Sequence, residues 1–402
     1  MTKRRGKALG TLAVHLGHGD DRALELPLVL SSAFHLGTAD EAAAAFRGES
    51  DAPLYGRWGN PTVRALEELV AGLEGAEDAA VSASGMAAIS GAILTVTSTG
   101  DHIVAPRALY GETARLLREK LPSLGIRTTF VDDPSPAAFR AAMEPKTRLV
   151  YLETPSNPTL SILDLEAIAA LAHEKGALVF ADNTFATPYC QRPLALGVDV
   201  VLHSMTKFLC GHGDAMAGVA AGPAHLVRRI RETTVKSFGG AASPFSAMLI
   251  TRGIRTFALR LERATTSAGV LVRRLAAEPA VSRVHHPSLP DHPGHAVAKR
   301  QMQHFPAVFS FELRGGLTAA KRFVESVTLA SHAVSLGDVR TLVTHPASTT
   351  ASTMPAADRA RVGIGDGLVR VAVGIEDVDD LIEDLVTAIQ RSGDAASPQS
   401  AR

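Results

Sequence analysis

Short apolar runs alternate with segments of helical spacing over much of the chain. The strand-like runs are AAVSAS (79–84), HIVAP (102–106), TTFVD (128–132), RLVYLET (148–154), ALVFADN (177–183) and VDVVLHS (198–204). Several segments between them have apolar residues at helical spacing, as at 113–121 and 165–176. Buried strands separated by helices are typical of a mostly parallel sheet covered on both faces. The pattern predicts an α/β domain, which we place over 53–251.

The pattern changes after about residue 250. One long helix is predicted over 246–279, and a loop rich in His and Pro follows at 285–295. The later elements are strands at 307–313 and 368–374 and helices at 319–327 and 378–392. This mixture predicts a second, smaller α+β domain over 252–393.

The two ends of the chain lack these patterns. Residues 1–52 mix short apolar pieces with turns. We expect them to form an arm that contacts a neighbouring subunit, although the same pieces are compatible with first strands of the fold. The polar residues 394–402 are expected to form a flexible tail.

Composition and charge narrow the classes of protein that fit. The chain has 402 residues, with 41 Lys and Arg against 41 Asp and Glu, so its formal net charge is zero. We find neither the basic excess of a nucleic-acid-binding protein nor the run of about 18 apolar residues that a membrane span needs. Two cysteines, Cys190 and Cys210, are too few for a disulfide scaffold or a multi-cysteine zinc site. The N-terminus also lacks the apolar stretch of a signal peptide, so we expect a soluble cytoplasmic protein. With so few cysteines, we also expect no bound metal.

Polar residues gather where the predicted strands end. They are Ser84, Gly85, Met86, Tyr110, Glu153, Asn157, Asp182, Ser204, Thr206 and Lys207. Ligands of open α/β sheets bind at the carboxyl ends of the strands, so we expect these residues to share a cleft. Taken singly, each has an ordinary structural explanation, such as a helix cap or a solvated loop lysine.

The combination is more specific than its parts. The start of a helix at Gly85 offers backbone N–H groups to a phosphate, and Ser204 and Thr206 add hydroxyls. A carboxylate at Asp182 can hold a protonated ring nitrogen, and the amine of Lys207 can form a Schiff base with an aldehyde. A phosphate, a pyridinium and an aldehyde together describe pyridoxal 5′-phosphate (PLP).

Longer strings cover nearly the whole chain, from about 12 to 392. They are YGRWGNPT (55–62), SASGMAA (82–88), LYGET (109–113), ETPSNPT (153–159), ADNTFATPYCQRPLALGVDVVLHSMTKFLCGHGD (181–214), SPFSAMLITRGIRT (243–256), AVSLGD (333–338), THPAS (344–348) and LVRVAVGIED (368–377). With these strings the chain resembles the Cys/Met-metabolism family of fold-type-I PLP enzymes, and its motifs look most like those of the methionine γ-lyases. The family also includes cystathionine γ-lyase, cystathionine γ-synthase and the O-acylhomoserine sulfhydrylases. The resemblance implies an aspartate-aminotransferase-like fold.

The resemblance also implies which residues bind the cofactor. Lys207 is the Schiff-base lysine and proton shuttle, Asp182 pairs with the pyridinium nitrogen, and Tyr110 stacks on the ring. The implied phosphate ligands within the chain are Ser84, Gly85, Met86, Ser204 and Thr206. Tyr55 and Arg57 are implied to reach the same phosphate from a neighbouring subunit, so we expect a homodimer or homotetramer with shared active sites.

The implied substrate is a small amino acid with a leaving group on Cγ, either methionine-like or an O-activated homoserine. Arg370 would bind its α-carboxylate as a bidentate pair, supported by Asn157 and Ser335. The implied reaction is γ-elimination or γ-replacement through a vinylglycine-type intermediate, with Tyr110 as a proton donor to the leaving group.

Two positions depart from the patterns of particular family members. Val334 stands where members that act on cystathionine carry Glu, so we expect a substrate without a second charged arm. Glu112 replaces the Cys of methionine γ-lyases. This places an acid near the leaving group or, alternatively, a Glu that faces solvent at the start of a helix.

Other functions stay open at this level. The chain fits a γ-replacement synthase or sulfhydrylase, or a specialised biosynthetic enzyme of Cγ substitution, as well as a lyase. A non-catalytic phosphate-binding α/β protein would use the helix at Gly85, but it leaves Lys207, Asp182 and Arg370 unexplained.

Overall fold

The larger sheet of the protein is mostly parallel. The computed structural model describes residues 7–18, 23–50 and 52–393. The strands of this sheet are β1 (Asp78–Ser82), β2 (His102–Pro106), β3 (Arg127–Val131), β4 (Thr147–Glu153), β5 (Leu178–Asp182), β6 (Val200–Ser204) and β7 (Gly218–Gly222). They lie in the order β1-β7-β6-β5-β4-β2-β3, and only β7 runs antiparallel to its neighbours. The six predicted strands and the parallel α/β architecture are confirmed, whereas β7 escapes prediction because its Gly and Ala residues have low β-propensity.

Helices lie at the N-terminus and on both faces of this sheet. They are α1 (Leu9–His15), α2 (Ala39–Phe46), α3 (Pro61–Glu74), α4 (Gly85–Val96), α5 (Gly111–Arg115), α6 (Pro136–Ala142), α7 (Leu165–Glu174), α8 (Thr187–Cys190), α9 (Ala224–Ile230) and α10 (Pro244–Arg255), with π-helical turns at Leu116–Lys120 and Arg231–Ser237 and 3₁₀ turns at Leu121–Leu124 and Pro193–Leu196. Strand side chains alternate between the two faces, so Tyr151 packs with α4 and α9 while Val150 packs with α6 and α7. Within the part of the chain that the structure describes, no helix is long and apolar enough to cross a membrane.

A second, five-stranded sheet forms in the C-terminal part. Its strands are β8 (Val281–His285), β9 (Val308–Leu313), β10 (Ser331–His332), β11 (Leu342–Thr344) and β12 (Leu368–Ala372), in the order β10-β11-β12-β9-β8. The helices of this part are α11 (Phe257–Ala276), α12 (His295–Gln301), α13 (Gly316–Ser326), α14 (Ala356–Arg361) and α15 (Val378–Gly393), and a 3₁₀ turn forms at Pro346–Ser348. Helices α11, α13 and α15 share one apolar core with β9 and β12.

Two predicted helices are wrong in detail. The single helix expected over 246–279 is two helices, α10 and α11, which meet at Thr256. The buried Arg260 of α11 donates to the Gly253 carbonyl of α10, at 2.8 Å, and so satisfies the end of the first helix. The helix expected over 113–121 is regular only in α5 and then widens into a π-helical turn before Pro122.

The N-terminal segment packs partly against its own chain. Leu12 and Ala13 of α1 are buried in the same core as α3 and α10. The described residues of this segment form two helices, α1 and α2, and no strand of the sheet. Residues 1–6, 19–22 and 51 of the expected arm, and the expected tail 394–402, lie outside the described residues.

Candidate active site

Lys207 lies in the turn after β6 and faces a loop of the second sheet. Its Nζ donates a hydrogen bond to Ser335 Oγ at 2.7 Å. Burial, followed by the positive charge of Arg370, lowers the pKa of Lys207 to about 8. The amine is therefore neutral far more often at neutral pH than an ordinary lysine, which is the form that attacks a carbonyl carbon.

Arg370, on β12, is a buried cation with an unused donor. It is 3% exposed, and its terminal nitrogens donate to Asn157 Oδ1 at 3.1 Å and to the Ser335 carbonyl at 2.6 Å. Its Nε is buried without a hydrogen-bond partner, and none of the described residues forms an ion pair with it. Burial lowers the pKa of Arg370 to about 10. An unpaired buried guanidinium is suited to bind a carboxylate from outside the protein.

Ser335 joins these two cations. Its φ of 87° lies in the left-handed region, which residues other than glycine seldom adopt. This conformation lets the Oγ accept from Lys207 while the carbonyl of the same residue accepts from Arg370. The strained backbone thus holds the lysine and the arginine at one point of the cleft.

Asp182 ends β5 on the side where the parallel strands terminate. It is 8% exposed, and its Oδ1 accepts the Thr184 N–H at 2.9 Å. Burial raises the pKa of Asp182, while bonds from Thr184 and the nearby His203 oppose that effect. Across the described ranges no Lys or Arg forms an ion pair with Asp182. A buried carboxylate without a cation fits the protonated nitrogen of a ring.

The start of α4 and the end of β6 form a narrow cradle. Ser84 caps α4, and its hydroxyl accepts the Ala87 N–H at 3.1 Å. A Cβ on Gly85 would lie 2.8 Å from Ser204 Cβ, so only glycine fits beside that serine. Hydroxyls and free N–H groups at a helix N-terminus bind phosphate. Of the other two predicted phosphate ligands, Met86 Sδ accepts a 3.8 Å bond from a threonine of α5, and Thr206 Oγ1 accepts the Ala217 N–H at 3.3 Å.

Tyr110 precedes α5 and lies beside the carboxylates of the cleft. Burial raises its pKa, and the charges of Glu112, Glu153 and Asp182 add to the increase. Its phenol therefore keeps its proton at neutral pH. Glu112 is exposed, so its side chain faces solvent, yet its charge acts on the tyrosine.

Tyr55, Arg57 and Val334 lie at the surface. Tyr55 pairs with Ala33 in an isolated bridge, and Arg57 donates to the carbonyl of Lys236. Both side chains are exposed, and the Arg57 guanidinium lies over the ring of Tyr55. Val334 is 61% exposed beside Ser335.

Two site residues carry no predicted role. Glu153 accepts the backbone N–H of Tyr110 and of Asn157, and Thr184 Oγ1 accepts the Ser204 N–H at 2.9 Å. Both lie in strings quoted above, but the partners of these side chains are backbone groups that the sequence does not identify.

Known proteins match this chain over almost its full length. The family model described as Cys/Met metabolism PLP-dependent enzyme matches residues 10–390. An L-methionine gamma-lyase of Fusobacterium nucleatum subsp. polymorphum is 44% identical over 97% of this chain and 99% of that protein. An O-succinylhomoserine sulfhydrylase of Pseudomonas aeruginosa is 41% identical over 96% of each chain. The crystal structure of metB from Corynebacterium glutamicum has a TM-score of 0.90 and 36% identity, covering 96% of this chain and 98% of the other.

The fold and the cleft define a fold-type-I PLP-dependent enzyme. The chain belongs to the Cys/Met metabolism family of these enzymes. The cradle at Gly85, the unpaired Asp182 and the half-buried Lys207 fit the phosphate, ring nitrogen and aldehyde of PLP. The predicted cofactor, the small amino-acid substrate and an activity of γ-elimination or γ-replacement are confirmed by this membership and these relatives.

Proposed function

We propose that this enzyme is a γ-lyase that removes the γ-substituent of a methionine-like amino acid, with Lys207 as the proton-transferring base. The observation that carries the proposal is that one residue, Ser335, holds both the base and Arg370, at 2.7 Å and 2.6 Å. An amino acid whose carboxylate pairs with Arg370 would therefore have its Cα within reach of the lysine amine.

Each further residue has a role that its environment supports. The ionised Asp182 would hold a proton on the ring nitrogen, and Gly85 and Ser204 would bind the phosphate. When bound, PLP supplies an electron-withdrawing ring that stabilises the negative charge left at the substrate carbons. Lys207 would take the Cα proton and move it, and Tyr110, which keeps its proton at neutral pH, would donate to the departing sulfur.

The cleft entrance favours an uncharged γ-substituent. Glu112 forms no ion pair with any described residue, and its charge acts on Tyr110. A succinyl ester carries a further carboxylate that this charge would repel, whereas a thioether or an acetyl ester does not. Val334 offers no partner to the second charged arm of cystathionine.

Gamma-replacement is the second candidate, because the sulfhydrylase relative is 41% identical. Elimination and replacement both begin with loss of the γ-substituent and differ in whether a thiol then adds. None of the residues described above separates the two outcomes, so the products must be identified.

The test is product analysis with methionine, cystathionine, O-acetylhomoserine and O-succinylhomoserine, each with and without sulfide or cysteine. We expect 2-oxobutanoate and ammonia from methionine, and poor turnover of cystathionine and of the succinyl ester. A thioether or homocysteine as the main product would favour replacement. Efficient cleavage of cystathionine would contradict the role given to Val334.

The Glu112→Gln variant should improve use of the succinyl ester, and an unchanged substrate ranking would assign Glu112 to the surface alone.

We also propose an oligomer with shared active sites. Large apolar side chains are exposed on the arm and near the π-helical turn, including Leu30 at 70%, Phe46 at 61% and Phe238 at 63%. A second copy that covers them would also bring the exposed Tyr55 and Arg57 towards another subunit's phosphate cradle.

We place the domain boundary between residues 251 and 252, close to the break between α10 and α11 at Thr256. The two free thiols, Cys190 and Cys210, support a location in the reducing cytoplasm.

A further inference from the structure

Glu153 is a buried carboxylate at the centre of the site. It ends β4 in register with Asp182 of β5, and it is 5% exposed. Its Oε2 accepts the Tyr110 N–H at 2.8 Å, and its Oε1 accepts the Asn157 N–H at 3.0 Å. Both carboxylate oxygens therefore hold backbone groups of residues that flank the cleft.

We propose that Glu153 is a positioning residue that clamps the backbone of Tyr110 and Asn157 and thereby fixes the aromatic ring and the substrate-carboxylate site at their distances from Lys207. The inference rests on the proposed roles of Tyr110 and Arg370. It adds a residue that would act through Tyr110 and Asn157.

The first branch of this clamp leads to the substrate carboxylate. Asn157, held by Glu153, accepts a hydrogen bond from Arg370 at 3.1 Å through its Oδ1. A shift of the Asn157 backbone would move this acceptor and change the direction of the guanidinium. The position of Glu153 therefore affects the orientation of Arg370 through one intervening residue, Asn157.

The second branch leads to the aromatic ring. Tyr110 lies in the connection between β2 and α5, 43 residues before Glu153, and the two meet only in the folded chain. Because Tyr110 is 41% exposed, packing holds its ring only on one side. The 2.8 Å hydrogen bond from its N–H to Glu153 fixes the backbone of this half-exposed residue.

The surroundings of Glu153 disfavour its negative charge, so the hydrogen-bond geometry and not the charge carries the clamp. Burial, and then the charge of Asp182, raises the pKa of Glu153 to about 8, while the N–H groups of Tyr110 and Asn157 oppose the rise. The phenol of Tyr151, which lies on the same strand, also faces the carboxyl groups of Glu153 and Asp182. An amide at this position would accept one N–H and place its own donor against the other. A small cavity of about 30 Å³ lined by Glu153 and Asp132 has room for one or two waters beside the carboxylate.

The test is hydrogen–deuterium exchange of the Glu153→Gln holoenzyme. We expect exchange of at least one of the Tyr110 and Asn157 amides to rise about tenfold or more, because the glutamine side chain can accept only one of the two N–H groups. Asp384→Asn is a matched control: Asp384 is 7% exposed and accepts the Thr328 and Ala330 N–H groups at 2.7 and 2.9 Å in the C-terminal part. Exchange in that variant should rise only near residues 328–330.

Kinetics and the cofactor spectrum separate positioning from general stability. Glu153→Gln should raise KM through the Asn157 branch and alter the visible circular dichroism of the bound cofactor through Tyr110, whereas Asp384→Asn should change neither. Unchanged exchange at both amides, or a KM and spectrum equal to the control's, would overturn the proposal. If Glu153→Gln does not fold, Glu153→Asp is measured against the same expectations. A failure of the lysine to bind PLP would refute the proposed function, while the exchange result would still decide the clamp.

Discussion

The cleft contains the buried Arg370 and the half-buried Lys207, and no carboxylate of the described residues forms an ion pair with either. Burial lowers the pKa of Arg370 to about 10, and burial together with that arginine lowers the pKa of Lys207 to about 8. The cost of burying two positive charges is offset when an anionic substrate binds. The same arrangement leaves the lysine neutral enough to react.

The Arg370→Lys variant tests the carboxylate site. A lysine keeps the charge but cannot form a bidentate pair, so we expect KM for the amino-acid substrate to rise about 10- to 100-fold. Steady-state kinetics measure the effect, and Arg252→Lys, the same change at an exposed position, is the control. Equal KM values in the two variants would show that Arg370 does not bind the substrate.

The lowered pKa of Lys207 predicts the pH dependence of cofactor capture. The neutral amine is the reactive form, so the rate at which the apoenzyme takes up PLP should rise as pH increases through about 8 and then level off. Replacing Arg370 by Met removes the second cause of the shift and should move the midpoint upwards. Stopped-flow absorbance between pH 6 and 10 records both curves. A rate still rising steeply above pH 9.5 in the wild type would contradict the lowered pKa.

Residue identities could be predicted from the sequence where a motif surrounds them. Lys207, Asp182 and Arg370 lie in long strings that resemble one family, and the structure brings them to a single cleft. The clamp by Glu153 could not be predicted, because its partners are backbone N–H groups supplied by two separate connections. The burial that sets its pKa also arises only when β4 and β5 are paired.

At the scale of elements, the site depends on how closely α4 approaches the end of β6. A Cβ on Gly85 would lie 2.8 Å from Ser204 Cβ and force the two apart. We expect Gly85→Ala to weaken PLP binding at least about tenfold, since the phosphate would lose aligned donors. Titration of the apoenzyme with PLP measures the dissociation constant.

A matched substitution separates this effect from helix propensity. Gly269 lies within α11, where an added Cβ would meet only the flexible end of Arg273 at 3.7 Å. Gly269→Ala should leave PLP affinity unchanged and stabilise the protein by roughly 0.5–1 kcal/mol. Similar PLP affinities in the two variants would argue against a phosphate at α4.

Element prediction succeeded where one periodicity dominates a segment. The apolar strands β2 and β4 to β6 are continuous hydrophobic runs, which identifies them without knowledge of their neighbours. The break at Thr256 could not be predicted, because apolar spacing continues through it. The guanidinium that satisfies the helix end belongs to Arg260, seven residues after Gly253, and the spacing of residues does not show that it turns back to that carbonyl. Strand β7 is defined by its place between β1 and β6, since its own residues are only Gly, Ala and Val.

At the scale of the whole molecule, the fold could be predicted from the alternation of strands and helices, but the assembly could not. The exposed positions of Tyr55 and Arg57 follow from the turn before α3, and nothing in the spacing of residues says which cleft they serve. The resemblance alone implied a neighbouring subunit.

Mixing two inactive variants tests the shared site. In the proposed oligomer, Arg57→Ala would damage the phosphate site of the partner, and Lys207→Ala would inactivate its own subunit. If the sites are shared, a mixed dimer contains one intact site, so co-refolded equal mixtures should recover about a quarter of wild-type activity. Recovery is measured against each variant alone and against a Lys207→Ala and Asp182→Asn mixture, which should stay inactive. No recovery in the first mixture would place Arg57 in its own subunit's site, and full activity of Arg57→Ala alone would place it outside any site.

The proposed function requires that the amine of Lys207 carries the cofactor. The most direct measurement is borohydride reduction of the holoenzyme followed by peptide mass spectrometry. We expect a pyridoxyl phosphate mass addition on Lys207 and loss of the visible absorbance band, with no addition in Lys207→Ala. An unmodified Lys207 in PLP-saturated protein, or the modification on a different lysine, would contradict the account.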